Sequence, residues 1–389
     1  MINNMKKFLL SFAVMLMGST LLTGCLESDN DNNTPTEYVV TKGVLVINNG
    51  NYYNGIDGSL TFLDFGTNSI TAQQNVYKNA NGESLGGTPN DVMAYGDKIY
   101  ITGSDENTVF VLNAKTFKLI EKINTIQDMG AEEGYCPRHL EAYGSNVFVS
   151  TYGGYVAVID TLNLTIRDMY KVGSAPEGMA IGGTSDADVS LYVANSDYGN
   201  GNGSISKINL ANGSITTIKN EKIHNPQQLA VAGDIIYVLY WGYYDADDGH
   251  KQKDAAVYMI NGSIVSKVVP DATGMAASGQ SIVTYNYPYG SSKPTYSIYN
   301  IVYGSLSNFT LSGGNPIESP CAINIDPNTG FIYLASRVID PDTGYPSYTM
   351  PGFINIYNGN GQFVAETSYA TGVEPHAIVF TYGVAKIQY

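Results

Sequence analysis

The chain has 389 residues, a formal net charge of −15 and 31 tyrosines, while only 14% of its residues are charged. An acidic chain of this kind is a poor partner for nucleic acid or anionic surfaces. Three cysteines in this length exclude a small disulfide-stapled scaffold.

The N-terminus has the pattern of a bacterial lipoprotein signal peptide. Lys6 and Lys7 precede an apolar run at residues 8–17, and Leu-Thr-Gly-Cys follows at residues 22–25. The apolar run is too short for a membrane-spanning helix, which is the alternative interpretation. We therefore predict a signal peptide at 1–24, lipidation of Cys25 after cleavage, an acidic flexible tether at 25–38, and the folded domain at 39–389.

Beyond the tether, one short phrase occurs seven times and predicts the architecture. It consists of a proline, one or two polar residues and an apolar stretch that usually contains alanine. The phrase prolines are Pro89, Pro137, Pro176, Pro226, Pro320 and Pro375, with Thr273 replacing the proline in one repeat. Successive steps of about 48, 39, 50, 47, 47 and 55 residues are typical of β-propeller blades.

Each phrase is followed by further segments with strand character. In the first full repeat these are residues 98–102, 108–113 and 119–123, which are rich in β-branched and aromatic residues and bounded by Gly, Asn and Asp. Four strands per repeat predict an all-β, seven-bladed propeller with four-stranded blades. No amphipathic helix is predicted beyond the N-terminal segment.

The two ends of the domain predict how the ring closes. Residues 43–48 match the second strand of a blade, but no phrase precedes them, whereas residues 374–380 match an innermost strand close to the C-terminus. We therefore expect N- and C-terminal strands to pair within one shared blade, called blade one here. Counting along the chain from it, the phrase at Pro89 opens blade two and the phrase at Pro320 opens blade seven.

One face of the predicted propeller carries the candidate binding site. The phrases and the connections between second and third strands share this face, and several of those connections are long and rich in tyrosine. Long loops on a rigid scaffold are the usual place for ligand binding. Tyrosines also pack between blades, which is the alternative role for these side chains. The predicted ligand-binding residues are Tyr52, Tyr53, Asn90, Arg138, Tyr152, Tyr198, Gln227, Trp241, Tyr243, Tyr287, Arg337, Tyr348 and His376.

Other chemistry is less well supported by the sequence. His139, His224 and His376 lie next to phrase prolines, so we expect them to approach the channel mouth. They belong to separate blades, however, so polar roles are favoured over a metal site. The clusters at residues 245–249 and 340–344 are candidates for structural Ca²⁺, but Asp-Gly clusters are also common turn chemistry. Without a nucleophile motif, Glu141, Glu177 and Glu374 are only generic acid–base candidates, and no catalytic residue is predicted.

The two remaining cysteines, Cys136 and Cys321, begin innermost strands on roughly opposite sides of the ring. A disulfide requires Cα atoms within about 7 Å. We therefore expect two free thiols.

The phrases, the Val-Ala-Val-Ile-Asp run at residues 156–160, the lipobox and the acidic tether together resemble a known class. They are similar to YncE-like seven-bladed propellers and, with the N-terminal features, to surface lipoproteins of Bacteroidetes of the vitamin B12-capturing BtuG type. That resemblance implies an outer-membrane, lipid-anchored protein facing the cell exterior. It would capture cobalamin and related corrinoids and pass them to a TonB-dependent transporter, with no cofactor of its own.

Three alternatives remain open on the residues alone. Aromatic platforms with amide rims also suit a glycan or a protein partner. An enzyme of lactonase or lyase type would use Glu177, His139 or His376. A purely structural role in the cell envelope would need no ligand.

Overall fold

A computed structural model describes residues 36–66, 69–291 and 293–387. The predicted signal peptide, Cys25 and nearly all of the predicted tether lie outside these residues. Within the described part of the chain, no helix is long and apolar enough to cross a membrane.

Seven four-stranded antiparallel sheets follow one another along the chain, as the repeat predicts. Their strands are given from the channel outward. Blades one to four contain Pro375–Ile387, Thr36–Asn48, Ser59–Phe65 and Ile70–Gln73; Pro89–Tyr95, Lys98–Gly103, Thr108–Asn113 and Leu119–Asn124; Pro137–Tyr143, Asn146–Thr151, Tyr155–Asp160 and Ile166–Lys171; and Pro176–Gly182, Ser190–Asn195, Ser204–Asn209 and Ile215–Ile218.

The remaining three blades follow the same order. They contain Pro226–Ala232, Ile235–Tyr240, Ala256–Asn261 and Ile264–Pro270; Gly274–Ser278, Ser281–Asn286, Thr295–Asn300 and Ser305–Phe309; and Ser319–Ile325, Ile332–Arg337, Pro351–Tyr357 and Tyr369–Val373. Blade five also carries a small hairpin, Tyr243–Asp245 with Lys251–Lys253.

Short helices occur in the connections between blades and loops. Two α-helices, Val76–Asn81 and Thr125–Met129, link blade one to blade two and blade two to blade three. Three 3₁₀ turns lie in loops, at Tyr52–Asn54, Asp197–Gly199 and Ala246–Asp248. The sequence analysis missed the α-helices because six and five residues are too few to display a helical period.

The ring closes through the predicted pairing of the chain ends. Thr36–Asn48 pairs antiparallel with Pro375–Ile387, from Thr36 opposite Ile387 to Asn48 opposite Pro375. The first strand begins three residues before the predicted boundary at residue 39, so the end of the predicted tether is part of the sheet. The Thr41 hydroxyl also lies 2.8 and 2.9 Å from the two carboxylate oxygens of buried Asp326, which joins this shared blade to blade seven.

The apolar core lies between neighbouring blades. One cluster, for example, combines Leu45 and Ile47 of blade one with Val92, Ile99 and Ile101 of blade two. The second strands are buried on both faces, which explains their nearly continuous apolar sequences. Because each blade shares its core with the next, the sheets form one rigid ring around a channel.

The phrase proline starts a β-bulge at the top of the innermost strand. In blades two, three, four, five and seven, the pairing with the second strand shifts register directly after this proline. Proline offers no N–H to the ladder, and a bulge re-aims the residues that follow it. Blade six, whose phrase has Thr273 in place of proline, pairs without a register shift.

Candidate functional site

The bulges collect one residue from most blades at the channel mouth. The residues that follow the phrase prolines include Asn90, Arg138, Gln227, Cys321 and His376, and all five line a central cavity of about 650 Å³. Trp241 lines it as well. Thus Asn90, Arg138, Gln227, Trp241 and His376, which were predicted from the sequence, meet around one cavity.

A charged cluster bridges blades two, three and four beside this cavity. The Arg138 Nε donates to Glu177 Oε2 over 3.1 Å, and the Tyr152 hydroxyl donates to Glu177 Oε1 over 2.6 Å. The guanidinium of Arg138 lies 4.7 Å from the centre of the Tyr152 ring. Glu177 is only 3% exposed, so its charge is neutralised by these neighbours rather than by water.

His139 sits between two carboxylates of this cluster. Its Nδ1 lies 3.4 Å from Asp91 Oδ2, and its Nε2 lies 3.6 Å from Glu177 Oε2. Burial opposes the charged imidazole, but both carboxylates outweigh burial and raise the pKa of His139 to about 9. His139 is therefore a cation at neutral pH and has no free nitrogen to act as a general base.

The same arrangement makes Glu177 a stable anion. Burial alone would raise its pKa, but the charge of Arg138 and the contacts with His139 and Tyr152 lower the pKa below the ordinary value. The sequence analysis treated Glu177 and His139 only as generic acid–base candidates. The available signal in the sequence was that both residues closely follow a phrase proline. Residues at this position in neighbouring blades lie close together at the channel mouth.

A second arginine–glutamate pair lies across the ring between blades seven and one. Arg337 donates to Glu374 through Nε over 2.6 Å and also through a terminal nitrogen. The Tyr348 ring lies over this guanidinium at 4.8 Å. Arg337 and Tyr348 thus lie together on the face that carries the long tyrosine-rich loops. The Nε and one terminal nitrogen of Arg337 already donate to Glu374, however, and are not free to bind a ligand.

Other mouth residues use their polar atoms to join blades. The Asn90 amide donates to the Arg138 carbonyl over 2.9 Å, and the Trp241 indole N–H donates to the Thr273 carbonyl over 3.1 Å. The Gln227 amide donates within its own blade, to Asn225 Oδ1 over 2.7 Å. Part of the hydrogen-bonding capacity that the sequence suggested for a ligand is therefore used inside the protein.

Two ionisable side chains that line the cavity have no ion-pair partner among the described residues. Burial raises the pKa of Glu141 to about 7. Burial, reinforced by the positive charges of Arg138 and His139, lowers the pKa of His376 to about 4. Around neutral pH, the cavity therefore contains a neutral imidazole and a carboxyl group near its titration point.

The residues that line the central cavity do not include the predicted tyrosines of the loops, namely Tyr52, Tyr53, Tyr152, Tyr198, Tyr287 and Tyr348. Tyr53 is 96% exposed and stands edge-on to Tyr52 at 5.8 Å, and Tyr198 stands edge-on to Tyr152 at 5.1 Å. Tyr348 is also exposed, whereas Tyr287 is half-buried against the core between blades six and seven. The predicted tyrosines thus differ in how much surface they offer.

Tyr243 lies apart from the channel. It lines a side cavity of about 720 Å³ between blades four and five, together with Tyr240, Tyr258, Lys222 and His224. His224 therefore does not approach the channel mouth, which corrects one expectation from the sequence. The reason is that this residue precedes the bulge and remains exposed in the connection between the two blades.

The acidic clusters considered for calcium form turns and ion pairs. Asp248 lies 2.8 Å from both Lys251 and Lys253, and hydrogen bonds with these lysines lower its pKa to about 2. Asp340 accepts the N–H of Asp342 over 2.8 Å, as in an ordinary turn. Among residues 36–66, 69–291 and 293–387, no group of three or more His, Cys, Asp or Glu side chains is placed to hold a metal ion.

Both described cysteines are free thiols. Burial raises the pKa of Cys321 to about 12, although its side chain borders the cavity. A thiol with such a pKa is largely protonated and is a poor nucleophile at neutral pH.

Comparison with sequence families gives one match. Residues 42–238 match the family described as "Domain of unknown function (DUF5074)". The chain belongs to this family. No curated protein matches the chain significantly in sequence.

Solved structures show what the fold is similar to. Hydrazine synthase of Kuenenia stuttgartiensis is 13% identical with a TM-score of 0.55, and the alignment covers 75% of this chain and 93% of that one. The RRP9 WD40 repeats are 10% identical with a TM-score of 0.48, covering 73% and 84%. The computationally designed Ika8 protein is 12% identical with a TM-score of 0.47, covering 77% and 96%. At these identities, the likeness concerns the fold alone.

Proposed function

We propose that this protein is a YncE-like surface lipoprotein of the BtuG type that captures cobalamin and related corrinoids at the channel mouth. In this proposal, Cys25 carries the lipid anchor in the outer membrane, the domain faces the cell exterior, and a TonB-dependent transporter receives the ligand. The observation that carries the proposal is the combination of a central cavity, which Trp241 lines, with exposed aromatic side chains in the loops between second and third strands.

The dimensions and chemistry of the mouth suit a corrinoid. Such a ligand is broad and nearly flat, with an apolar ring system edged by amides. Trp241, Gln227 and His376 line the cavity, and Tyr348 adds an exposed ring in a loop of blade seven. Ligand sites commonly combine large apolar contact with a few oriented polar groups.

Binding fits the charged groups better than catalysis does. Arg138 is held by Glu177, Arg337 is held by Glu374, and His139 is held by two carboxylates. Groups fixed in this way shape a rigid, pre-organised surface, which favours affinity because little ordering is needed on binding. A general base would instead require an accessible, unprotonated side chain beside a nucleophile.

Alanine substitutions measured by calorimetry with cyanocobalamin test the proposal. We expect Trp241→Ala and Tyr348→Ala to weaken binding at least tenfold, since both remove aromatic contact at the mouth. Tyr303→Ala is the matched control, because Tyr303 is 81% exposed on the opposite face. Equal affinity in all four proteins would rule out the mouth as the binding site.

A glycan is the second candidate ligand, favoured by the side cavity. Tyr240 lines that cavity with a buried hydroxyl that has no hydrogen-bond partner, and Tyr243 adds an exposed ring. Saccharides offer both hydroxyl groups and apolar ring faces. A glycan array would identify such a ligand, and Tyr240→Phe should then weaken its binding without lowering the melting temperature.

A further inference from the structure

The central cavity is not symmetric about the channel. From five blades, only residues of the innermost strand line it. From blades five and six, residues behind the innermost strands also line it, among them Tyr237, Ile282 and Ile301. The cavity therefore extends sideways into the seam between these two blades.

The backbone explains why the seam opens there. Neighbouring innermost strands contact one another around the ring, and they do so most sparsely between blades five and six. The innermost strand of blade six has five residues, whereas that of blade five has seven. Blade six also lacks the phrase proline and the bulge, and the seam is bridged at the mouth by Gln228, which accepts the Met275 N–H over 3.1 Å.

Gly274 allows the ring of Tyr285 to lie directly against the short strand of blade six. A Cβ atom at this position would lie 2.2 Å from the ring of Tyr285, on the second strand of the same blade. The innermost strand thus packs directly onto its own blade. The Trp241 indole of blade five donates to the Thr273 carbonyl of blade six across the same seam.

This space, which we call the seam cleft, is lined by uncharged residues, of which Gln228, Ser278 and Ser281 are polar. Its apolar lining residues are Leu229, Val231, Tyr237, Ala277, Ile282 and Ile301. Ala277 is exposed to the cavity, whereas Tyr237 and Ile282 are buried and form its back wall. By contrast, the charged and amide side chains at the channel mouth already make hydrogen bonds and ion pairs within the protein. A lining without charged side chains and with a large apolar part favours an uncharged, flat group over a charged one.

We propose that the seam cleft is a subsite for a flat aromatic group that projects from the captured ligand. This inference rests on the proposed function, in which the projecting group is the aromatic base on the nucleotide arm of a complete corrinoid. The corrin ring would remain at the mouth, between Trp241 and Tyr348. The cleft would then distinguish complete corrinoids from incomplete ones that lack the base.

Calorimetry of the full chain with cyanocobalamin and with dicyanocobinamide, which lacks the base, tests the subsite. We expect the native protein to bind cyanocobalamin at least tenfold more tightly. Ala277→Phe should fill the cleft and bring the affinity for cyanocobalamin to that for cobinamide, while the affinity for cobinamide stays unchanged. Ala277→Leu, a smaller change, should reduce the difference in part and serves if the larger side chain impairs folding.

Gln280→Phe is the control variant, because Gln280 is exposed in the adjacent turn and does not line the cavity. It should leave both affinities unchanged. Equal affinity of the native protein for the two ligands would overturn the subsite but leave corrinoid capture intact. So would an equal loss of both affinities in Ala277→Phe. Binding of neither ligand would overturn the proposed function itself, and the subsite with it.

Discussion

The charged cluster makes a quantitative prediction about stability. Glu177→Gln keeps the shape of the side chain but removes the charge that faces Arg138 and His139. The side chains of Glu177 and Arg138 are 4% and 19% exposed, so the arginine cannot recover full hydration. Breaking a buried ion pair on one side costs about 3–5 kcal/mol, and the partial exposure of Arg138 places the expected loss near ~3 kcal/mol.

This loss corresponds to a measurable change in melting temperature. The folded domain has about 350 residues, and an unfolding entropy of roughly 2.1 cal/mol/K per residue gives about 0.7 kcal/mol/K. A loss of ~3 kcal/mol therefore lowers Tm by about 4 °C. Scanning calorimetry and urea unfolding followed by circular dichroism would measure the two quantities independently.

Two further variants decide whether the charge pair is the cause. Glu132→Gln, at an exposed position in the loop before blade three, should change stability by less than about 0.5 kcal/mol. Arg138→Met combined with Glu177→Gln should recover part of the loss, since no buried arginine is then left unpaired. If Glu177→Gln behaves like Glu132→Gln, the cluster does not bind the blades together and the reasoning is refuted.

Three other predictions concern pH, the shared blade and the side cavity. The pKa of His139 is raised from 6.5 to about 9, so its contribution to the free energy of unfolding is complete below pH 6.5 and is lost as the pH rises through 9. Urea titrations at several pH values should show this loss of stability. The same pH dependence should be missing in His139→Gln. Thr41→Val deletes the hydroxyl that donates to buried Asp326, so we expect a loss of about 1–3 kcal/mol in the free energy of unfolding, and no loss would show that this contact does not support closure. Tyr240→Phe removes a buried hydroxyl without a partner, so Tm should stay constant or rise, whereas a clear decrease would reveal a hydrogen bond to water or protein.

The fold was predictable because the repeated phrase encodes a local device. Proline at the start of an innermost strand marks the bulge and hence one blade, so seven phrases predict seven blades. The shared blade was predictable from the strand at residues 43–48, which lacks a phrase before it. The first strand nevertheless begins earlier, at Thr36, because pairing with Ile387 orders residues whose sequence reads as a polar tether.

The site was predictable in position but not in detail. The sequence indicates that Arg138 and His376 approach the mouth, since each follows a phrase proline. It does not indicate that Arg138 is held by Glu177, because the two lie 39 residues apart and their contact depends on how adjacent blades are rotated. The seam cleft could not be predicted from the sequence either. The sequence shows that Thr273 replaces the phrase proline, but it does not show how the lack of a bulge changes the packing between blades five and six.

The most direct test of the account is to mix the protein with cyanocobalamin and separate bound from free ligand on a desalting column. The account predicts that the coloured ligand elutes with the protein, saturably and at one molecule per chain. A colourless protein fraction would contradict corrinoid capture, while the seven-bladed fold would stand.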